Sequence, residues 1–276
     1  MSQTGEITSL ANAQVKYVNA LQNKASFRKK EGVFVVEGAK IFLETPEEYI
    51  NNIFISSSAS EELNSNKGFS QEIKEKILVK LDKLPYIKIS DDVAKHISDT
   101  VTTQGIFIVV KQMNYELKEL INIEEKQTFL VLDEIKDPGN MGTIIRTAEG
   151  AGVRAIIMNK ECVDVYNPKV TRSTMGSIFR VPFIIEENLF SAINELKQNG
   201  VVTYGAHLNG NDFYSEEVMT GSSAIYIGNE AKGLSDEVSA TADKLIRIPM
   251  EGKLESLNAS VAAAILMYEA KRKRDL

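Results

Sequence analysis

Apolar residues in this chain come in short runs separated by amphipathic stretches, the alternation expected of an α/β protein. Residues 33–36, Val-Phe-Val-Val, read as a strand; a helical stretch over 10–30 precedes them and another, to Glu44, follows. Further apolar runs stand at 53–55, 77–79 and 106–110, and the polar insert 56–68 reads as a loop entering a helix. The hydroxyl-rich segment 98–105 reads as a turn. Polar and charged residues then dominate to Lys126, as in a linker with a short helix. In the second half, strands are predicted at 128–133, 155–158, 182–185, 201–204, 224–227 and 245–248, with helices between them. Regular alternation of strand and helix makes the sheet mainly parallel.

Several loops end their strands in residues with chemical use. The run 134–140 contains Pro138, Gly139 and Asn140, and Asn140 is placed to cap the next helix, with Gly150 and Gly152 able to end it. In that helix Met141, Ile144, Ile145 and Ala148 share the face toward the sheet, and Arg146 projects opposite, where an anion or substrate could meet it. Asn167-Pro168 reads as a cap with proline at the first helical position, and Gly176 within that helix suggests a close approach. The last helix has no charge from Ser256 to Tyr268, so it should be buried on more than one side, and a second subunit is a candidate cover. Ser256 and Asn258 stand at its start, as cap, as pocket-facing groups, or both.

Composition narrows the chemistry. A chain of 276 residues with 43% hydrophobic residues can bury two domains, and its net charge of −6 argues against simple coating of nucleic acid. Basic clusters remain at Arg28-Lys29-Lys30 and at 271–274, the latter as readily a helix-end charge as an RNA contact. One cysteine, Cys162, excludes internal disulfides and reads as a filler; His96 and His207 have no metal or triad pattern around them, so no metal is expected. The apolar runs are too short for a membrane span and the first residues carry no targeting pattern, so a cytoplasmic protein with no membrane partner is expected.

No GxGxxG follows the first strand of either half, and the stretch from Gly228 to Ser235 has two glycines at P-loop separation without the lysine that reaches phosphate. What remains is three loop motifs in order. They are Asp137-Pro138-Gly139-Asn140-Met141-Gly142 continuing to Arg146, then Arg172-Ser173-Thr174-Met175-Gly176, then Gly228-Asn229-Glu230 running on to Ile248-Pro249-Met250 and Ser256-Leu257-Asn258. Together they resemble the three motifs of the SpoU family of RNA ribose 2′-O-methyltransferases in the SPOUT superfamily. Residues 1–110 more weakly resemble that family's ribosomal-protein-like substrate-binding domain.

The resemblance implies an RNA substrate-binding domain over 1–110, a linker over 111–125 and a SPOUT methyltransferase domain over 126–276 whose parallel sheet carries a trefoil knot. It implies S-adenosylmethionine as methyl donor, a homodimer, and RNA as substrate. Ribosomal RNA is favoured over transfer RNA because a separate RNA-binding domain suits a large folded target; a non-catalytic RNA-binding protein of the same fold is the other alternative. By motif position, Asn140, Arg146, Glu230, Ser256 and Asn258 form the catalytic centre, and Gly228, Ile248 and Leu257 hold the donor. Arg28, Lys29, Lys30, Arg172 and Ser173 are the expected RNA contacts. Arg172 stands where the family commonly has lysine.

Overall fold

A computed structural model describes residues 5–65, 68–212, 218–253 and 256–276. In chain order the elements begin with α1 (Ala13–Asn23), α2 (Ala25–Glu31), β1 (Val33–Glu37), α3 (Ala39–Glu44), β2 (Ile50–Ser56), α4 (Ser57–Leu63), α5 (Gln71–Lys83), β3 (Ile87–Ile89), α6 (Asp91–Ile97) and β4 (Ile106–Lys111). They continue with α7 (Leu117–Leu120), β5 (Thr128–Leu132), α8 (Pro138–Ala151), β6 (Ala155–Asn159), α9 (Pro168–Ser173), β7 (Phe183–Glu186) and α10 (Leu189–Gln198). The remainder is β8 (Val202–Asp212), β9 (Ser223–Ile227), α11 (Asp236–Ser239), β10 (Lys244–Arg247) and α12 (Ala259–Arg274). Two compact units result, one of residues 1–113 with 166–179 and one of 114–165 with 180–276.

The first unit holds a sheet in the order β1-β4-β2-β3, with β4 antiparallel to β1 and β2, and β2 parallel to β3. Val33 and Val35 pack with Val15, Val18 and Leu21 of α1, while Phe34, from the opposite face, stacks on Tyr166 with ring centroids 4.5 Å apart. Both faces of β1 are therefore covered, which explains its unbroken apolar run. The stretch expected as one helix over 10–30 is two, because Lys24 takes an extended conformation between α1 and α2. The run 77–79 lies inside α5, where Ile77 is buried and Leu78 and Val79 are exposed. Helical spacing over the whole of α5 outweighs the local β-prone triplet.

All pairings in the second unit's sheet, β10-β8-β9-β5-β6-β7, are parallel. The carboxyl ends of β5, β9 and β10 consequently open on one edge, each into a loop that carries expected site residues. Leu189, Ile193 and Leu196 of α10 pack with Phe129, Val131 and Tyr226 in one core cluster. α12 lies along α8, β5 and β9, burying Ala263, Leu266, Met267 and Ala270. Its Val261 and Tyr268 are about half exposed, so the apolar side away from the sheet is left open within the chain.

Three local expectations are corrected. α8 starts at Pro138 with Asp137 as its cap, so Asn140 lies inside the first turn and its side chain is released for other bonds. Gly150 does not end α8: a Cβ there would come 2.9 Å from the Tyr268 hydroxyl, so the missing side chain lets α12 approach, and Gly152 at φ 66° makes the left-handed stop. Gly176 lies beyond α9 in a turn with φ 94°, after Met175 at φ 53°, so backbone conformation rather than close approach calls for glycine.

Candidate functional site

The strand ends of the second unit are laced together by polar groups around the buried Asp133. Asp133, buried at the end of β5, accepts hydrogen bonds from the Ser235 N–H at 2.9 Å, the Ser235 hydroxyl at 2.7 Å and Asn159 Nδ2 at 2.8 Å. Asn159 Oδ1 in turn accepts from the Glu134 N–H, and Asn229 Nδ2 donates to the Glu134 carbonyl. Glu134 is held at φ 57°, costly for a residue with a side chain and maintained by these two bonds. Sequence reading missed Asp133, Asn159, Asn229 and Ser235 as a group; the available signal was a polar residue directly after the apolar runs 128–132 and 155–158, and it covers only Asp133 and Asn159.

On this scaffold stands a second chain of bonds. Asn258, the cap of α12, accepts from the N–H groups of Ser260 and Val261 through Oδ1 and donates through Nδ2 to Asn140 Oδ1 at 2.9 Å. It caps α12 and is bonded to Asn140 at the same time. Asn140 Nδ2 donates to Glu230 Oε1 at 3.0 Å, and the Asp137 and Lys136 N–H groups donate to the same carboxylate at 3.2 and 3.3 Å. Partial burial alone would raise the Glu230 pKa, but the Asn140 amide and these backbone donors outweigh it and hold the carboxyl below the ordinary range. The amide of Asn140 is thereby locked at both ends, with one lone pair of Oδ1 left over.

Beside this cluster is a cavity of about 300 Å³. Gly228, Glu230, Ile248, Ser256 and Leu257 line it, together with the apolar Ile246. The structure thus brings Gly228, Glu230, Ile248, Ser256 and Leu257 to one cavity and ties Asn140 and Asn258 to it through Glu230. Gly228 has a reason of its own to be glycine: a Cβ would lie 2.1 Å from the Gly233 carbonyl carbon and the Leu234 nitrogen, because the loop folds back through paired Asn229–Gly233 bonds. Arg146 is exposed on α8, on the side away from Met141, Ile144 and Ile145.

The expected RNA contacts all lie in the first unit. Arg28 is corrected: it is 3% exposed and its Nη1 donates to the carbonyls of Leu21 at 2.6 Å and Gln22 at 3.1 Å, closing the end of α1. Lys29 and Lys30 are exposed. Arg172 is half exposed and paired with Asp99 at 3.1 Å, and the Ser173 hydroxyl donates to the Lys169 carbonyl. The basic run at 271–274 is engaged in its own unit, with Lys271 on Asp275, Arg272 on Glu269 and Arg274 on the last carbonyls of α8. Burial pushes the Cys162 thiol up to about 12, consistent with a filler that donates to Asn159 Oδ1. Among the described residues no helix is long and apolar enough to cross a membrane, and no cluster of three or more His, Cys, Asp or Glu is placed to hold a metal.

Comparison with known proteins gives two family matches: the SpoU rRNA Methylase family over residues 127–268 and the MRM3-like substrate binding domain over 12–107. The chain is 32% identical over 268 residues to the 23S rRNA (guanosine(2553)-2′-O)-methyltransferase RlmP of Bacillus subtilis, covering 95% of this chain and 98% of that one. It superposes on the AdoMet-bound rRNA methyltransferase from Sinorhizobium meliloti with a TM-score of 0.82 at 29% identity, covering 98% of both chains. The SpoU methyltransferase AviRb from Streptomyces viridochromogenes, in complex with the cofactor AdoMet, gives 0.82 at 25% identity over 96% of this chain and 98% of that one.

Proposed function

The chain belongs to the SpoU rRNA methylase family, and we propose that it methylates a ribose 2′-hydroxyl of ribosomal RNA with S-adenosylmethionine as donor. The observation that carries this reading is the chain of bonds Asn258–Asn140–Glu230 at the rim of the strand-end cavity. The cavity fits the donor: it is at the small end of the usual range for such ligands, it offers Ile246, Ile248 and Leu257 to an apolar heterocycle, and Glu230 gives it negative charge for a cationic ligand. When bound, S-adenosylmethionine supplies an electrophilic methyl group on a sulfonium.

The residues then divide the work. Gly228, Ile248 and Leu257 hold the donor, and Ser256 completes the wall. Asn140, fixed by Glu230 and Asn258, turns its remaining Oδ1 lone pair to the 2′-hydroxyl and orients it for in-line attack. Arg146 clamps the neighbouring phosphate and offsets the charge growing on the oxygen; a guanidinium stays protonated, so the proton leaves to that phosphate or to water. The new bond is O2′–CH3, the broken bond is S–CH3, and one proton is released. Lys29, Lys30, Arg172 and Ser173 of the first unit contact RNA phosphates. The organisation is a substrate-binding domain over 1–110, a linker over 111–125 and a methyltransferase domain over 126–276 with a trefoil knot. The protein works in the cytoplasm as a homodimer, and the open face of α12 with Val261 and Tyr268 supports the pairing.

Single-turnover methyl transfer to ribosomal and transfer RNA from cells lacking the protein tests this, with the modified ribose mapped. Arg146→Ala should lower the rate at least about 100-fold with donor affinity unchanged. Base methylation, preference for transfer RNA, or a normal rate in the alanine variant would overturn the corresponding part.

A further inference from the structure

β8 does not run straight beside β10. Leu245 pairs with Gly205 and the next residue, Ile246, pairs with Asn211, so residues 206–210 stand out of the ladder. Gly210 brings the strand back: a Cβ there would lie 2.5 Å from the Ile246 carbonyl carbon. Ala206, His207 and Leu208 all line the cavity, although consecutive residues of a regular strand face opposite ways. The bulge therefore turns His207 into the cavity, as bulges beside binding sites commonly re-aim a side chain.

His207 has a defined hydrogen-bonding state. Its Nδ1 accepts the Asn209 N–H at 3.1 Å, so Nδ1 carries no proton and the neutral ring bears its hydrogen on Nε2. The ring is then a donor at its far end. Its place is also defined: β8 lies on the side of β9 away from β5, so His207 stands across Gly228 from Asn140. The reacting methyl belongs at the Asn140 end, which leaves the nucleoside part of the donor for the His207 end, beside the apolar Leu208 and Ile246.

We propose that His207 reads the purine of the methyl donor, its Nε2–H donating to a ring nitrogen. The inference rests on the reading of the cavity given above. An adenine offers only N1, N3 and N7 as ring acceptors, so the test is a complete set. Calorimetry on the full chain would use S-adenosylhomocysteine and its 1-, 3- and 7-deaza analogues. Wild type should bind one deaza analogue about tenfold more weakly, the worth of one net hydrogen bond. His207→Ala should bind the parent about tenfold more weakly and lose that discrimination.

Two further variants separate ligand recognition from holding the bulge. His207→Gln places an amide N–H near the Nε2 position and should bind the parent within about threefold of wild type. His207→Asn keeps an acceptor for the Asn209 N–H but falls short of the ligand, and should behave like alanine. Recovery in asparagine but not glutamine, or equal binding of all four compounds by wild type, overturns the proposal and leaves His207 as a bulge clasp. The wild-type arms need no variant to fold. Absence of any binding of S-adenosylhomocysteine by wild type would instead remove the reading of the cavity itself.

Discussion

The two units use similar polar side chains for opposite ends. In the first, Arg28 and Lys80 turn inward: Arg28 closes α1, and Lys80 Nζ donates to the Phe42 carbonyl at 2.8 Å and to the Thr45 carbonyl while lying over the Phe42 ring. Burial lowers the Lys80 pKa, and nearby Glu47, Glu44 and Glu48 oppose that. In the second unit the uncharged Asn140 and Asn258, with Glu230, point at one another beside a cavity. Two cations of the first unit are thus spent on helix ends, one of them Arg28, which the sequence suggested as an RNA contact, while two amides and a carboxylate meet beside the cavity of the second. The difference follows from sheet topology, because parallel strands bring several loops to one edge while the mixed sheet of the first unit does not.

The sharpest way to break the contrast is Gly228→Ala. If the glycine serves the backbone, as the collision with Gly233 and Leu234 requires, the second unit should lose about 3 kcal/mol or more and the donor should bind poorly. Chemical denaturation followed by a probe in each unit measures it; an alanine variant of wild-type stability that fails only to bind would return Gly228 to a pure ligand role. Next in size, Arg28→Met should cost the first unit about 2 kcal/mol by leaving the carbonyls of Leu21 and Gln22 without a donor. Its donor affinity should match wild type, and its RNA affinity, measured well below the melting temperature, should fall less than that of Lys29→Ala with Lys30→Ala.

The smallest effect concerns Glu230. Its carboxyl is more acidic folded than unfolded, so its contribution to stability is fully present above the unfolded carboxylate pKa and disappears as pH falls through the lower folded value. The group is largely exposed, which limits the contribution to less than about 1 kcal/mol. Unfolding of wild type and Glu230→Gln should therefore differ at neutral pH and converge in acid. A gap that widened on acidification would mean that the amide and backbone donors do not hold the ionised form.

Strand positions in the second unit were legible because buried parallel strands write themselves as continuous apolar runs, and the loops after 132, 227 and 247 could be placed from where those runs stop. The motif resemblance named Glu230 and Asn258, which the structure links through Asn140, and periodicity alone gave the outward position of Arg146. What pairwise spacing does not carry was lost. The cap at Asp137 displaced Asn140 from its expected duty, the inward turn of Arg28 depends on where α1 ends, and the bulge that turns His207 depends on β8 and β10 falling out of register. Residues 166–179 are a similar case. Their Tyr166 hydroxyl accepts from the Met113 N–H at 3.0 Å and their Ile178 is fully buried, so they build the first unit although motif order places them in the methyltransferase half.

α8 and α12 are fastened to each other at both ends. Asn258 holds Asn140 at their starts, and Arg274 donates to the Ala151 and Gly152 carbonyls at their finishes, across 123 and 122 positions of sequence. During synthesis α8 leaves the ribosome long before its partner exists. Until α12 has been translated, the Asn140 amide is free to rotate and the cavity lacks a wall. A nascent chain that has reached no further than β10 therefore has its strand-end loops in place with the Asn140 lock still open.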